Sequence, residues 1–443
     1  GEDNLHYEKF QDGSVKCIED EIPFEVPEGW AWCRLKHVCT MAAGKAKPTD
    51  QIMTEPFEGC YPCFGGNGIR GYVDEYNQDG IFSIVGRQGA LCGNINIAKG
   101  KFYATEHAVV TTLFSGIDFN WSNYVLEALQ LNSYATGAAQ PGLSVANVLN
   151  VFVPVPPTQE QVHIGIRIAE SIKIIENIED EKENLQTLIS SAKSKILDLA
   201  IRGKLVSQNP NDEPASVLLE RIRAEKEELI KQGKIKRDKK ESIIFKGEDN
   251  SYYLKTGDIT EPLEDWELDG LPDSWSFCCL GEICDYGNCI NVATVDIDDS
   301  AWILDLEDIE KDTGIVLQKV RKAKRNSIST KHLFHKGQVL YSKLRPYLNK
   351  VVLADEDGYC TSEILPLDFQ ENIIPQYARY YLMSPTFLQY TNKCSYGVKM
   401  PRLGTVDGKK TIITLPPLAE QKRIVKAIET IFAQLDEISN AIA

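Results

Sequence analysis

The feature that most constrains the fold of this chain is that its sequence contains one unit twice. The segment around Trp30 (residues 26–33) returns around Trp275 (residues 271–278), and residues 1–4 return as 247–250. Shorter matches keep the same order at nearly constant spacing: Leu35 with Leu280, Cys39 with Cys284, Tyr103 with Tyr359, Thr105 with Thr361, Gly137 with Gly397, Pro141 with Pro401, and Leu143 with Leu403. The repeat predicts two similar modules of about 155 residues, each followed by a helix.

The helix after each module is predicted from a heptad pattern. A Pro-Pro-x-x-Glu-Gln motif occupies residues 156–161 and returns at 416–421, an offset of 260 residues. Apolar residues then recur at steps of three and four, as in a coiled coil. The predicted seam consists of Ile164, Ile168, Ile175, Ile178, Leu185, Ile189, Ile196 and Leu199 in the first copy and Ile424, Ile428, Ile431, Leu435 and Ile438 in the second. Because the chain contains two such helices, we expect them to pair with each other. The alternative is that each long helix packs on its own module.

The modules themselves combine strand-like and helix-like patterns. Short β-like runs at 81–85 and 338–341 lie among glycine-rich loops, and helix-like runs follow at 123–131 and 376–382. Between the copies, Gly203 is predicted to end the first long helix, and residues 215–231 are predicted to form another. The fold class is therefore α+β, with two tandem mixed α/β modules. The predicted domain bounds are 1–158 for the first module, 159–246 for the helical spacer and connector, 247–418 for the second module and 419–443 for the final helix.

Charge is distributed unevenly along the chain. The formal net charge of −16 argues at first against a nucleic-acid partner. Eleven Lys or Arg residues nevertheless fall between Lys311 and Lys350, with Asp312 as the single acid. Because phosphate contacts depend on local potential, this stretch is consistent with a DNA surface, and equally with a solvated basic face.

Composition narrows the class of protein further. No stretch approaches the roughly 20 consecutive apolar residues that a membrane helix requires. The 12 cysteines form no regular framework in 443 residues, so a reducing, cytoplasmic setting is expected rather than a secreted disulfide scaffold.

The tandem modules, each closed by Pro-Pro-x-x-Glu-Gln and a heptad helix, resemble HsdS, the specificity subunit of Type I restriction–modification enzymes. The resemblance covers essentially the whole chain, and residues 200–206 resemble that family's central conserved region. It implies that each module is a target-recognition domain reading one half of a split DNA site, with the long helices pairing antiparallel in a pseudo-twofold arrangement. It also implies two modification subunits that bind S-adenosylmethionine and two ATP- and Mg-dependent restriction subunits, with no cofactor on this chain.

One departure from a complete repeat leads to a further expectation. The chain begins without methionine at a point that, in the second copy, is preceded by helices. We therefore expect that a helical segment resembling parts of residues 190–246 precedes residue 1.

Candidate DNA contacts follow from the residue types that read base edges and phosphates. In the first module they lie on three polar loops and comprise Asn67, Arg70, Arg87, Gln88, Asn94 and Gln140. In the second they comprise Tyr341, Lys343, Arg345, Asn349, Lys399 and Arg402, with Lys322, Lys324 and Arg325 as phosphate contacts.

Several catalytic and metal sites are disfavoured by their context. Phe64-Gly65-Gly66-Asn67-Gly68 has the Phe-x-Gly-x-Gly pattern of a methyl-donor site, but no helical pattern follows it, and the Gly-Lys pairs lack the Ser or Thr of a phosphate-binding loop. Cys60 and Cys63 lack a second close pair of zinc ligands, and Glu106 and His107 are interpreted as structural. We expect a non-catalytic DNA-specificity protein with no membrane segment. The alternative is a coiled-coil adaptor with protein- or carbohydrate-binding modules, and the basic stretch 311–350 favours DNA.

Overall fold

The computed structural model describes residues 5–136, 141–234, 241–249, 251–263, 270–325, 328–369 and 373–442. The chain divides into a first unit, Gly1–Asp180, and a second unit, Glu181–Ala443. Both units combine helices with mostly antiparallel sheets, so the predicted α+β class is confirmed. The finer domain bounds predicted from the sequence stay predictions.

The first unit is built around a six-stranded sheet in the order β4-β9-β7-β8-β5-β6. Its strands are β1 Tyr7–Lys9, β2 Val15–Cys17, β3 Ala31–Arg34, β4 Cys39–Ala43, β5 Tyr61–Gly65, β6 Gly68–Val73, β7 Gln78–Gly86, β8 Ile95–Ala104, β9 Ala108–Leu113 and β10 Phe152–Val155. Its helices are α1 Phe119–Ala128 and α2 Val145–Leu149, and α3 Thr158–Ile201 begins in it. Trp121 and Leu126 of α1 pack with Val85 and Val109 in the main core.

The second unit carries a five-stranded sheet in the order β15-β18-β21-β16-β17 and two three-stranded sheets in the orders β20-β19-β22 and β11-β12-β13. Its strands are β11 Ser242–Lys246, β12 Tyr252–Thr256, β13 Ile259–Pro262, β14 Ser276–Cys279, β15 Asn291–Val292, β16 Trp302–Leu304, β17 Val320–Arg321, β18 Lys331–Phe334, β19 Val339–Ser342, β20 Val351–Leu353, β21 Gly358–Thr361, β22 Ile364–Leu367 and β23 Ile412–Leu415. Its helices are α4 Ala215–Lys231, α5 Leu280–Ile283, α6 Pro375–Leu382, α7 Pro385–Cys394, α8 Thr405–Lys410 and α9 Leu418–Ala441.

In each module the strand just after the matched tryptophan pairs with the last strand in the same way. Strands β3 and β10 are antiparallel, with Cys33 opposite Val153, and β14 and β23 are antiparallel, with Cys278 opposite Ile413. Because Cys33 and Cys278 are matched positions of the sequence repeat, the repeat also exists in the strand register. Each long helix starts directly after this closing pair.

The predicted helix boundaries between the modules agree closely with the structure. Helix α4 spans the predicted residues, and α3 ends at Ile201, two residues before Gly203. Gly203 has a φ of +67°, a left-handed conformation that glycine adopts without steric cost and that ends a helix. The Lys204 amide then donates to the Leu199 carbonyl at 2.9 Å.

The predicted seam is packed over only part of its length. In the second unit, α9 runs antiparallel to the end of α3: Thr414 Oγ1, just before α9, donates to the Ile201 carbonyl at 2.7 Å, and Lys193 forms an ion pair with Asp436. Seam residues Ile189, Ile424 and Ile428 are buried there, and Ile196 is partly buried. Ile164 is likewise partly buried, against the core of the first unit.

The middle of the seam is exposed. Ile175 and Ile178 are 55% and 58% exposed, and Leu185 is 36% exposed. The physical reason is length, since α9 has 24 residues and α3 has 44. The coiled coil that the heptads predict is therefore formed only toward the end of α3.

In the described part of the chain, none of the helices combines the length and the apolar character needed to cross a membrane. Among the same residues, no group of three or more His, Cys, Asp or Glu side chains is arranged to hold a metal ion.

Candidate nucleic-acid interface

Three loops of the first unit meet at the end of strand β7. The Arg87 amide donates to the His107 carbonyl at 2.9 Å, which joins the end of β7 to the turn between β8 and β9. The Leu143 amide donates to the Arg87 carbonyl at 2.9 Å, and the Gly89 amide donates to the Pro141 carbonyl at 3.0 Å. Backbone bonds thus fix all three loops, and their side chains are left for other contacts.

The second unit repeats this arrangement bond for bond at the end of strand β19. The Lys343 amide donates to the Glu363 carbonyl at 3.0 Å, the Leu403 amide to the Lys343 carbonyl at 3.0 Å, and the Arg345 amide to the Pro401 carbonyl at 2.7 Å. We call each arrangement a loop triad: residues 86–89, 105–107 and 141–143 in the first unit, and 342–345, 361–363 and 401–403 in the second.

The two loop triads share a backbone and differ in side chains. Position by position, the first-unit residue and its second-unit equivalent are Arg87 and Lys343, Gln88 and Leu344, Gly89 and Arg345, His107 and Glu363, and Gly142 and Arg402. A common frame with different polar groups is the arrangement that two readers of different sequences require. The predicted contacts Arg87, Gln88, Lys343, Arg345 and Arg402 all lie on these triads.

In the first unit the hairpin of β5 and β6 adds to the triad. Exposed Asn94 donates its amide to the Asn67 side-chain oxygen at 2.8 Å, so two predicted contacts are adjacent. A Cβ at Gly86 would lie 2.0 Å from the Gly66 carbonyl oxygen, so this close approach requires glycine. The glycine-rich run is therefore a turn packed against the triad.

Arg70 occupies a different place from the one predicted. It lies on strand β6 rather than on a loop, and its guanidinium donates to Thr49 Oγ1 at 2.9 Å. Its side chain is exposed, so Arg70 stays a candidate contact on the hairpin face.

In the second unit, Arg402 is held by an acid of its own triad. Its guanidinium makes a bidentate contact with Glu363. Nη2 donates to Oε1 at 2.8 Å, and Nε lies 3.1 Å from both carboxylate oxygens. Both side chains remain partly exposed, at 33% and 24%. The pair therefore presents donors and acceptors at one fixed position.

Two predicted contacts of the second unit are part of the fold instead. The Tyr341 ring is 3% exposed and packs edge-on against Phe387 at 5.6 Å. Asn349 is 8% exposed, has a φ of +48°, and donates its side-chain amide to the Met383 carbonyl at 3.2 Å. Because both side chains are buried, we leave Tyr341 and Asn349 out of the proposed interface.

The stretch 311–350 is basic in sequence, and five of its eleven cations are paired with acids in space. The fold brings acids from 299–308 and from 355–356 next to it, forming the ion pairs Lys319 with Asp355, Arg321 with Glu356, Lys322 with Asp299, Arg325 with Asp305 and Asp308, and Lys331 with Asp305. Arg325 is only 10% exposed within this cluster, so we omit it and the paired Lys322 from the proposed phosphate contacts. Lys324 is exposed and stays a candidate.

Of the two remaining predicted contacts, Lys399 and Gln140, the structure describes only the first. Lys399 is exposed, two residues before the triad loop 401–403. Gln140 lies outside the described residues.

Sequence reasoning missed the turn that carries His107 and Glu363. The sequence pattern alone assigns His107 a structural role and does not single out Glu363. A signal was nevertheless present, because the matches of Tyr103 with Tyr359 and Thr105 with Thr361 share the offset of 256 that relates His107 to Glu363. Extending that alignment by two residues would have paired them.

Comparison with known proteins defines the class of the chain. A solved structure from work on complex assembly and conformational transition of the type I R-M system has a TM-score of 0.54, with 16% identity, and covers 95% of this chain and 94% of that one. This likeness shows the fold, a tandem of two modules with long helices. The family model described as Type I restriction modification DNA specificity domain matches residues 27–187 and 272–443.

The chain belongs to this family of Type I restriction–modification DNA specificity proteins. The EcoprrI specificity subunit of Escherichia coli is 42% identical over 160 residues, which are 36% of this chain and 38% of that protein's length. The EcoDI specificity subunit of Escherichia coli is 21% identical over 428 residues, covering 95% of this chain and 86% of that protein. The resemblance inferred from the repeat is confirmed, and DNA specificity prevails over the adaptor alternative.

Proposed function

We propose that each loop triad reads one half of a bipartite DNA target. The observation that carries this proposal is the identical hydrogen-bonded frame in both units with different side chains at equivalent positions. Because the two loop triads share one backbone frame, each would place its side chains at the same depth in a DNA groove. The side chains then determine which bases each triad accepts. A target with two unlike halves follows from two unlike triads.

The chemistry of the triad side chains supports base reading. An arginine such as Arg87 or Arg402 can bond a guanine edge through two donors, Gln88 can make two bonds to adenine, and Glu363 can accept from cytosine. Lys399, exposed on the loop before 401–403, provides charge for phosphates beside the second reader, and exposed Lys324 provides charge elsewhere on the second unit.

The long helices serve as spacer and docking surface in this proposal. Helix α3 has 44 residues, a length of about 66 Å. Two modification subunits binding S-adenosylmethionine would dock on the helices and methylate adenine, and two restriction subunits using ATP and Mg would join them in the cytoplasm. The present chain supplies recognition and no catalytic group.

The experiment is to sequence the methylated bases in a host that carries the complete system with single triad substitutions. Wild-type protein should give one bipartite motif. His107→Ala should alter or relax bases in one half only, and Glu363→Ala should do so in the other half only, because each residue belongs to one triad.

Lys99→Ala is the control, since Lys99 is exposed on strand β8 away from the triad loops. It should leave the motif unchanged. A wild-type motif without two halves would refute the proposal, as would substitutions that leave both halves intact in an active protein.

A further inference from the structure

The last residue of each Pro-Pro-x-x-Glu-Gln motif is a buried glutamine with both ends of its amide bonded. In the first unit, Gln161 is 1% exposed. Its side-chain oxygen accepts from the Asp118 amide at 2.8 Å, and its side-chain nitrogen donates to the Pro156 carbonyl at 2.8 Å. Asp118 is the N-cap of α1, so one side chain joins the start of α3, the end of the closing strand pair and the start of the module helix.

The second unit contains the same contacts around Gln421, which is fully buried. Its side-chain oxygen accepts from the amide of Ile374, the N-cap of α6, at 2.9 Å, and its nitrogen donates to the Pro416 carbonyl at 3.1 Å. Two separate modules thus use one glutamine in one geometry to join the same three elements.

The neighbouring glutamate of the motif does not behave in this way. Glu420 is buried and accepts from Trp275 Nε1 at 3.0 Å and from Gln208 Nε2 at 2.6 Å, whereas Glu160 is exposed. The glutamine contacts are therefore the feature common to both motifs. A buried amide satisfied at both ends has one low-energy orientation, because losing either bond leaves an unpaired polar group.

We infer that Gln161 and Gln421 are positioning residues that set the angle at which each long helix leaves its own module. This inference rests on the proposed function, because the angle matters for a bipartite target read across a helical spacer. A small change in the direction of the first turn of a long helix produces a large displacement of its far end. Over the 44 residues of α3, about 66 Å, a tilt of about 3° moves the far end by about 3.4 Å, the rise of one base pair.

The test replaces each glutamine by an apolar side chain of similar length. Gln161→Met and Gln421→Met remove both hydrogen bonds while filling the same space, so the helix angle should become less defined. In a host carrying the complete system, the methylated motif should keep its two half-sites but appear with spacers one base pair longer or shorter. We expect at least a tenfold rise in methylation at such off-length sites relative to wild type.

Matched controls are Gln186→Met on α3 and Gln434→Met on α9, since both glutamines are exposed on the same helices. They should retain the single wild-type spacer. A purely structural glutamine would lower methylation at every site alike, without new spacers. That outcome, a strict spacer at any level of activity, would overturn the inference.

If the methionine variants do not accumulate, Gln161→Glu and Gln421→Glu decide the question in the same assay. They keep the acceptor for the helix-capping amide and place a carboxylate oxygen against a proline carbonyl. New spacers support the inference and a strict spacer refutes it. Failure of the proposed function is recognised separately, because wild-type protein would then give no bipartite motif.

Discussion

At the scale of single residues, the two proposed readers pair their charged side chains differently: Glu106 contacts its neighbour His107 in the first triad, whereas Arg402 contacts Glu363 across the second. Arg402 is already bonded to Glu363, so its guanidinium is oriented before any DNA arrives. Orientation in advance lowers the entropic cost of binding and favours one base partner. In the first unit the equivalent positions are Gly142 and His107, and the same backbone therefore holds a different set of donors.

Arg402→Ala is expected to weaken binding to the cognate duplex by about 1–3 kcal/mol, because a two-donor contact to a base would be lost. Binding to random duplex should change much less. Equilibrium binding of the purified chain to both duplexes, once the methylated motif is known, measures the difference.

Lys324→Ala serves as the comparison for a phosphate contact. It should weaken binding to all sequences alike and reduce the slope of log affinity against log salt by about one unit. Equal losses on cognate and random DNA for Arg402→Ala would reassign Arg402 to the phosphate contacts.

At the scale of elements, a charge cluster joins the N-terminal hairpin of β1 and β2 to the module. Arg34 on β3 contacts Glu8 at 2.7 Å and Glu21 at 3.2 Å. The hydrogen bond from Arg34 holds the pKa of Glu8 below its ordinary value, and hydrogen bonds from Lys16 and Arg34 do the same for Glu21.

This cluster predicts a pH dependence of the hairpin. A lowered pKa in the folded state means that the ionised carboxylate stabilises the hairpin at pH values above the ordinary glutamate pKa. That contribution is lost as the pH falls through the lowered value. Hydrogen exchange of residues 7–17, corrected for intrinsic rates, should accelerate on acidification below about pH 4.5.

Glu8→Gln provides the control for that measurement. The variant should exchange faster already at neutral pH and show a smaller acid step. An acid step of wild-type size in Glu8→Gln would show that another group causes it.

The helix seam predicts a contrast between two isoleucines at heptad positions. Ile428 on α9 is fully buried and Ile178 on α3 is 58% exposed. Ile428→Ala should cost about 2–5 kcal/mol in the free energy of unfolding, because it leaves a cavity, and Ile178→Ala should cost much less. Denaturant unfolding measures both values, and equal losses would contradict the exposure seen for the middle of α3.

Local patterns in the sequence predicted most elements, and long-range contacts account for what they missed. The heptads, Gly203 and the span 215–231 depend on neighbouring residues, so α3 and α4 were predicted nearly residue by residue. Arg325 shows the limit. Its acidic partners Asp305 and Asp308 lie 20 and 17 residues away and approach only when the sheet forms, so this part of the basic run is paired with acids in the fold.

At the scale of the whole molecule, the repeat makes each reader separable. Residues 40–150 contain all three loops of the first triad, while the closing strands β3 and β10 and the glutamine Gln161 lie outside that range. The Asp118 group that bonds Gln161 lies inside the range, but it is a backbone amide, which does not depend on the residue type. Replacing 40–150 by the same region of another family member should therefore keep the module joined to α3 in the same way. One half of the methylated motif should change and the other half and the spacer should persist.

Sequencing of methylated bases again gives the readout. A control exchange of residues 40–80, which omits the three triad loops, should leave the change of specificity incomplete. If the full exchange alters both halves of the motif, the units do not read independently.

The closing strand pairs also have a consequence for how the protein is made. Cys33 pairs with Val153, which is 120 residues later in the sequence, and Cys278 pairs with Ile413, which is 135 residues later. Neither strand pair can form until its later strand has been synthesised. Contacts so distant in sequence slow folding, and a ribosome delivers the first module's last strand long before the second's. The first module can therefore close while the second is still being synthesised. A chain released before residue 155 would expose β3 as an unpaired strand, the kind of edge at which nascent proteins aggregate.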